Sequence, residues 1–410
     1  MACPVLVMLA FVAIAPGVLI SQGLGPDWPQ FRGPNRDGAV ASFVEPTAWP
    51  ERLTQQWKVD VGDGHATPVL VGARVYTFSR QGTNEVMQAL DAATGKAIWQ
   101  TRYPAPVTVN PAAQAHGPGP KATPTFASGR LYTLGMGGIV TAFDAASGKQ
   151  LWQKPAGSTL PLYGTAISPL VDRGLVIVHV GGDKGGALTA FDAGTGDVKW
   201  AWNGDGPSYA SPVVAEIDGI RQVITLTQGN VVGVSAADGR LLWRRPYATE
   251  YTQNIITPVF AGSTLIIGGY QNPTIALRLV RSGDQWKTED VWENAGISLY
   301  MANSVLVGDR LFGLSHRNSG QYFTLDVKTG KTVWVGQPRQ AENAAIVRAG
   351  SLVFSLEDDA ELMVGRVGAN SFQELKRYTV ANAATWAQPV ISGRRIFVKD
   401  VSTLTLWTIG

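Results

Sequence analysis

The chain has 410 residues, with 34 Lys and Arg against 31 Asp and Glu, a net charge of +3 and only 16% charged residues. It has no Lys/Arg run and no interleaving of basic with aromatic residues, which argues against a nucleic-acid partner. Its four histidines (His65, His116, His179, His316) include no pair at metal-ligand spacing, and its single cysteine, Cys3, leaves no disulfide framework.

Residues 4–20 are apolar and the chain then turns polar, like the core of a secretory signal peptide. The positive flank is missing, since the first cation is Arg32. The expectation is an apolar leader over 1–23 that is removed on export to the periplasm or outside the cell, leaving no membrane span. An uncleaved anchor is the alternative. Cys3 precedes the apolar core and is out of place for a lipid-bearing cysteine. Residues 24–52 form an extension ahead of the repeats.

From there a Trp or Tyr closes a unit every 45 or so residues, roughly the period of a repeat architecture. The clearest copies of the closing phrase run over 89–99, 142–152, 190–200 and 324–334, with a looser copy at 233–243. In the first, Ala89-Leu90-Asp91 ends one strand, Thr94-Gly95 supplies the turn, and Lys96 to Trp99 opens the next. Asp bonds the backbone two residues on, and Gly accepts the positive φ of a tight turn. Upstream of each copy is a second phrase, a Thr/Ser-Pro followed by a short apolar strand, a Gly turn and a second apolar strand. Thr67-Pro68, Thr123-Pro124, Ser168-Pro169, Ser211-Pro212 and Thr257-Pro258 begin five of them.

Two strands before the closing phrase and two around it make a four-stranded antiparallel sheet. Eight such sheets predict an all-β, eight-bladed β-propeller over 53–410. Seven blades is the competing count, because the units ending at Trp292 and Tyr378 have lost the Asp-x-x-Thr-Gly phrase. The last unit lacks an outer strand of its own, so residues 53–59 are expected to pair with 387–409 and close the ring without an open edge. Trp57, Trp99, Trp152, Trp200, Trp243, Trp292, Trp334 and Tyr378 are then structural, packing each outer strand on its neighbour.

The phrase Ala-x-Asp-x-x-Thr-Gly-Lys-x-x-Trp resembles the tryptophan-docking repeat of the quinoprotein family. The segment 27–38, with Trp28, Phe31, Arg32 and Arg36, is similar to the leader found before such propellers. The resemblance implies an eight-bladed ring. For the catalytic branch it implies pyrroloquinoline quinone held by a Trp and a disulfide of adjacent cysteines, with Ca²⁺ on Glu and Asn and an Asp as base. No adjacent cysteine pair exists here, and no such carboxylate set can be matched. The chain is closer in length to the non-catalytic branch, whose members act as scaffolds.

In a propeller the loops entering the innermost strands converge on one mouth of the channel. Here they carry His65, Tyr209, Asn254, Tyr300, Glu342, Asn343 and Trp386, with 116–121, Tyr163 and Gln253 nearby. Aromatic walls with a few polar groups suit a small-ligand mouth, although a plugged channel would use the same residues. Trp386 and Tyr209 would stack, His65 and Asn343 would hydrogen-bond, and Glu342 is the first suspect for a base or metal ligand. The loop 103–122 could fold over this opening. Glu357-Asp358-Asp359 reads as a solvated turn, and His179 as a satisfied sheet residue.

These observations predict a monomeric, non-enzymatic binding or scaffold module that holds a protein or small ligand through one face, without a cofactor. The alternative is a periplasmic dehydrogenase of alcohols or sugars that uses pyrroloquinoline quinone and calcium.

Overall fold

The computed structural model describes residues 25–183 and 185–410. The leader over 1–23, Cys3 included, lies outside them. Eight four-stranded antiparallel sheets follow one another, and consecutive strands pair within each. Blades 1 to 7 span 69–104, 125–154, 170–202, 213–246, 259–294, 305–335 and 344–379. Blade 8 takes three strands from 390–408 and its outermost strand, Thr54–Asp60, from the other end of the ring. Eight is therefore the count. The units ending at Trp292 and Tyr378 keep the four-stranded pattern without the turn phrase, because the alternating apolar residues of their strands suffice to pair them.

The phrase has a local cause. Asp91 Oδ1 accepts from the backbone N–H of Thr94 at 2.8 Å and from its hydroxyl at 2.8 Å. The hydroxyl bond is the main cause holding the Asp91 carboxyl below its usual range. Asp144 and Asp326 repeat both bonds in blades 2 and 6, and Asp192 keeps the backbone bond in blade 3 while the Thr195 hydroxyl turns to Asp197. In every blade but the seventh the outer strand carries a bulge just before its Trp, and in blades 1 to 4 the residue opposite the ring is small: Ala89 faces Trp99, Ala142 faces Trp152, Ala190 faces Trp200 and Gly233 faces Trp243. The bulge re-aims the indole from its own sheet towards the neighbouring blade.

There the indole meets a fixed partner. Trp57 donates to the Ala92 carbonyl at 3.3 Å, Trp99 to Ala145 at 3.2 Å, Trp152 to Ala193 at 3.1 Å, Trp200 to Ala236 at 3.1 Å and Trp292 to Val327 at 2.8 Å. All five carbonyls belong to the residue after the Asp or Ser of the next blade's turn. Trp243 and Trp334 precede blades 5 and 7, which lack that turn. Trp243 bonds Gln222 of its own blade instead, and Trp334, half-buried, packs on Phe372 with ring centroids 5.0 Å apart. Tyr378 is buried and donates to the Pro50 carbonyl at 2.9 Å. Among the described residues no helix is long and apolar enough to cross a membrane.

One reading of a turn needs correction. Glu357 is not solvated: it ends the strand Leu352–Glu357, is fully buried, and accepts from Tyr322 Oη at 2.8 Å and from Arg377. Its charge is met by a guanidinium and a phenol, so burial is tolerated. His179 is buried and shares its Nε2 with the Asp205 carbonyl.

Candidate functional site

The Thr/Ser-Pro phrase places hydroxyls around the central axis. The Thr123 hydroxyl accepts from Thr67 N at 3.2 Å, Ser168 from Thr123 N at 2.9 Å, and Ser211 from Ser168 N at 3.0 Å. Thr67 in turn accepts from Gln388 N at 3.0 Å, and Asn303 Oδ1 accepts from Thr257 N at 2.8 Å. Pro after the hydroxyl residue has no N–H to satisfy, so it can sit at the inner end of the strand without an orphaned donor.

These residues wall an axial cavity of about 300 Å³, near the lower end of small-ligand sites. Every blade contributes: Thr67, Thr123, Ala166, Ser211, Thr257, Asn303, Ala345 and Gln388 lie in turn around it. The mouth is aromatic, with His65, His116, Tyr163, Tyr209, Tyr300 and Trp386. The His116 ring stands edge-on to Trp386 at 4.5 Å, and Tyr163 lies 5.6 Å from Tyr209. On the rim Tyr300 packs with Tyr270 and His316 at 4.8 and 5.2 Å.

The loop 103–122 does reach over the opening. Its 3₁₀ turn Pro111–His116 brings Ala112, Ala113 and His116 to the cavity, and the Pro120 carbonyl accepts from His65 N at 2.8 Å. Lys121, which lines the cavity, donates to the Tyr163 carbonyl at 3.0 Å. Burial pulls Lys121 down to about 8 and His65 to about 4, so His65 is neutral at pH 7. His65 Nε2 lies 3.0 Å from the His116 carbonyl, a geometry that needs the proton on Nε2 and leaves Nδ1 an acceptor.

The floor comes from the N-terminal extension, a placement that the sequence did not suggest. Residues 25–40 cross the channel on the far side and bond most of the ring. Trp28 pairs with Leu70, the Pro29 carbonyl accepts from Phe126, Val40 bonds Arg348, and Ser392 bonds the Pro26 carbonyl. Arg32 and Arg36 are buried; Arg32 donates to the Ser304 carbonyl at 2.7 Å and Arg36 to Pro169 at 2.9 Å, on different arcs of the ring. Burial lowers them to about 10 and 9, still cationic at pH 7. Phe31 faces the cavity, 5.9 Å from the Arg36 guanidinium.

Of the residues singled out from sequence, His65, Tyr209, Tyr300, Asn343 and Trp386 come together on this wall, and two do not. Asn254 is fully buried away from it, with Nδ2 on the Thr227 and Tyr247 carbonyls at 2.8 Å each. Glu342 is exposed and does not line the cavity. In both cases the adjacent residue, Gln253 or Asn343, takes the cavity position. The wall thus carries no carboxylate. Calcium takes six to eight oxygen ligands, usually with Asp or Glu among them, so this donor set does not fit a calcium-held quinone. Among the described residues no cluster of three His, Cys, Asp or Glu could hold a metal ion.

Comparison with known proteins agrees with the geometry. The family described as outer membrane protein assembly factor BamB matches residues 49–160 and 83–336. A protein of that name from Yersinia pestis is 26% identical over 374 residues, covering 84% of this chain and 86% of its own. The dehydrogenase subunit of the quinone alcohol dehydrogenase of Acetobacter aceti is 33% identical, but over 36% of this chain and 21% of its own. In fold, the crystal structure of BamB from Moraxella catarrhalis superposes with a TM-score of 0.62 at 16% identity, covering 87% of this chain and 99% of its own. The quinohemoprotein alcohol dehydrogenase of Comamonas testosteroni gives 0.68 at 15% identity, covering 94% and 81%. The matched residues take in most of the ring, and the chain belongs to the PQQ-repeat propeller family described as outer membrane protein assembly factor BamB.

Proposed function

We propose that this chain is a periplasmic, non-enzymatic scaffold that docks a protein partner through one face of the ring and takes part in outer-membrane protein assembly. The observation that carries this is the end-to-end similarity to proteins named as assembly factors, 84% of this chain against 86% of the relative. The likeness to the quinone dehydrogenase subunit spans only 21% of that enzyme, about the reach of the shared repeat. The cavity wall favours the same choice, because it offers aromatic, amide and hydroxyl groups without a carboxylate to hold calcium or act as base.

The extension also suits a scaffold. It ties the inner strands across the axis, so loops on the mouth face are carried by a rigid ring, as a docking surface requires. The test is chemical cross-linking of the tagged full chain in the envelope of cells that make it, followed by identification of the linked peptides. An outer-membrane-protein assembly component joined to loops of one face is the expected result. Recovery of the chain alone, together with dye-linked alcohol oxidation after loading with pyrroloquinoline quinone and Ca²⁺, would overturn the reading.

A further inference from the structure

Two positions before each inner-strand residue such as Thr67 or Thr123, every blade sets one side chain against the axial cavity. Lys121, from blade 2, is the one charged member of this ring among the described residues, since burial holds His65 neutral. Blade 3 places Ala166 next to it, which leaves room beside the ammonium. Blades 4, 5 and 6, on the opposite arc, present Tyr209, Ile255 and Met301. The cavity is therefore polarised at this level, with a cation on one side and a largely apolar wall on the other.

The ammonium is short of partners. Lys399 shows what a satisfied buried ammonium looks like in this ring: it donates to the carbonyls of Gly62, Gly64, Asp400 and Val401 at 3.2, 2.8, 3.0 and 3.1 Å. Lys121 donates to the Tyr163 carbonyl alone, so two of its three protons have no acceptor among the described residues. Its charge is felt by His65 and His116, both on the cavity wall, and no carboxylate stands near enough to offset its burial. A partly buried ammonium without a counter-ion is costly, and an anion that enters beside it relieves the cost.

Shape selects the anion. Phe31 and the extension close the floor, so the cavity is a blind hole that opens at the mouth. A polypeptide cannot thread it and enters only by an end. An N-terminal end brings an ammonium, which Lys121 and Arg36 repel. A C-terminal end brings a carboxylate for Lys121 and one side chain for the apolar arc. The space of about 300 Å³ admits a terminal residue, whereas a helix, about 10–12 Å across, is too wide. His116, Tyr163, Tyr300 and Trp386 are only partly buried, so their rings are free to pack on the residues that precede the end.

We infer that the axial cavity takes the C-terminal residue of a protein partner, its carboxylate on Lys121 and its apolar side chain against Tyr209, Ile255 and Met301. This rests on the protein-docking reading and names the part of the partner that is held.

The test is isothermal titration calorimetry of the full chain with N-acetylated tripeptides ending in leucine or phenylalanine, as free acids and as C-terminal amides. The acids should bind, and the amides roughly tenfold more weakly. Lys121→Gln keeps a donor for the Tyr163 carbonyl and should bind both forms alike, whereas Lys121→Arg should keep the preference for the acid. Met301→Ala should weaken both forms by the same factor, which separates the apolar contact from the charge. Equal binding of acid and amide by the parent, or a preference that survives in Lys121→Gln, would overturn the assignment. Binding as tight by an amidated tripeptide with a central aspartate, or by phenylacetate, would do the same, as would no binding of any peptide at millimolar concentration. Cross-linking probes the docking reading by itself: a linked partner without peptide binding would keep the scaffold and sink only the chain-end site.

Discussion

Gln388 gives its backbone N–H to the hydroxyl of Thr67 at 3.0 Å, joining residues 321 positions apart. The bond closes the ring from inside, while Thr54–Asp60 closes it from outside by pairing with Thr403–Thr408. The two seams are chemically different. The outer one is a strand ladder that leaves no edge, and the inner one is a single buried bond in a relay of hydroxyls.

Thr67→Val keeps shape but leaves the Gln388 N–H buried without an acceptor. Stability should fall by about 1–3 kcal/mol, and Thr67→Ser should restore most of it. Urea unfolding of the three proteins measures both. An unchanged midpoint in Thr67→Val would mean that the inner seam contributes nothing.

Gly95 separates two costs that glycine substitutions usually mix. Its φ is +70°, and a Cβ there would lie 2.8 Å from the ring of Trp57. Gly72 has a φ of +57° with nothing within 4 Å. Both Gly→Ala variants incur the left-handed backbone penalty, about 1–2 kcal/mol. Only Gly95→Ala must also push the indole off the Ala92 carbonyl. It should therefore melt well below Gly72→Ala, and equal melting temperatures would show that the indole has room to give.

The ring was legible because its parts are local. A turn made by Asp91 and Thr94 bonds within itself, so its residues announce it wherever they occur. The hand-off between Trp243 and Gln222 was not legible, since it follows from what the next blade lacks. The mouth was partly readable: the loop preceding each Thr/Ser-Pro was identifiable, but which of two adjacent residues faces inward depends on the path of an irregular loop, with Tyr251 and Thr252 left-handed just before Gln253. Hence Gln253 and Asn343 line the cavity where Asn254 and Glu342 do not. Residues 25–40 gave no periodic pattern at all, because their contacts are with six blades distant in sequence. The available signals were the likeness of 27–38 to a leader found before such propellers and two arginines, Arg32 and Arg36, flanking a Gly-Pro turn.

Those arginines set the next expectation. Arg36 reaches the carbonyls of Ser168 and Pro169 and the side chain of Gln30 together, and Arg32 reaches Arg36, Asp37 and Ser304. Removing either guanidinium strands several buried acceptors, at about 1.5–3 kcal/mol for each charged bond lost without replacement. Arg36→Lys should rescue little, because one ammonium cannot span the fork. Limited proteolysis of Arg36→Ala should cut first within 25–40. Cleavage elsewhere, with the extension still protected, would show that the backbone bonds of Trp28 and Val40 hold it alone.

The last expectation concerns acid. Burial pushes His65 and His179 down to about 4, while the unfolded chain titrates its histidines near 6.5. Between those values the unfolded state binds more protons, so stability rises with pH through the window. The contribution is complete above about 6.5 and is lost as the pH falls towards 4, at most about 3 kcal/mol for each histidine. Burial raises Glu85 and Glu357, and these pull the other way as acid is added. The total curve therefore mixes signs, and single variants are needed to separate them. His179→Gln removes one titrating group from the strand, so its stability should change less steeply between pH 7 and 5 than that of the parent, whatever its absolute value. His65→Gln should do the same at the mouth. Parallel stability curves for parent and both variants would show that neither ring is held neutral by the fold.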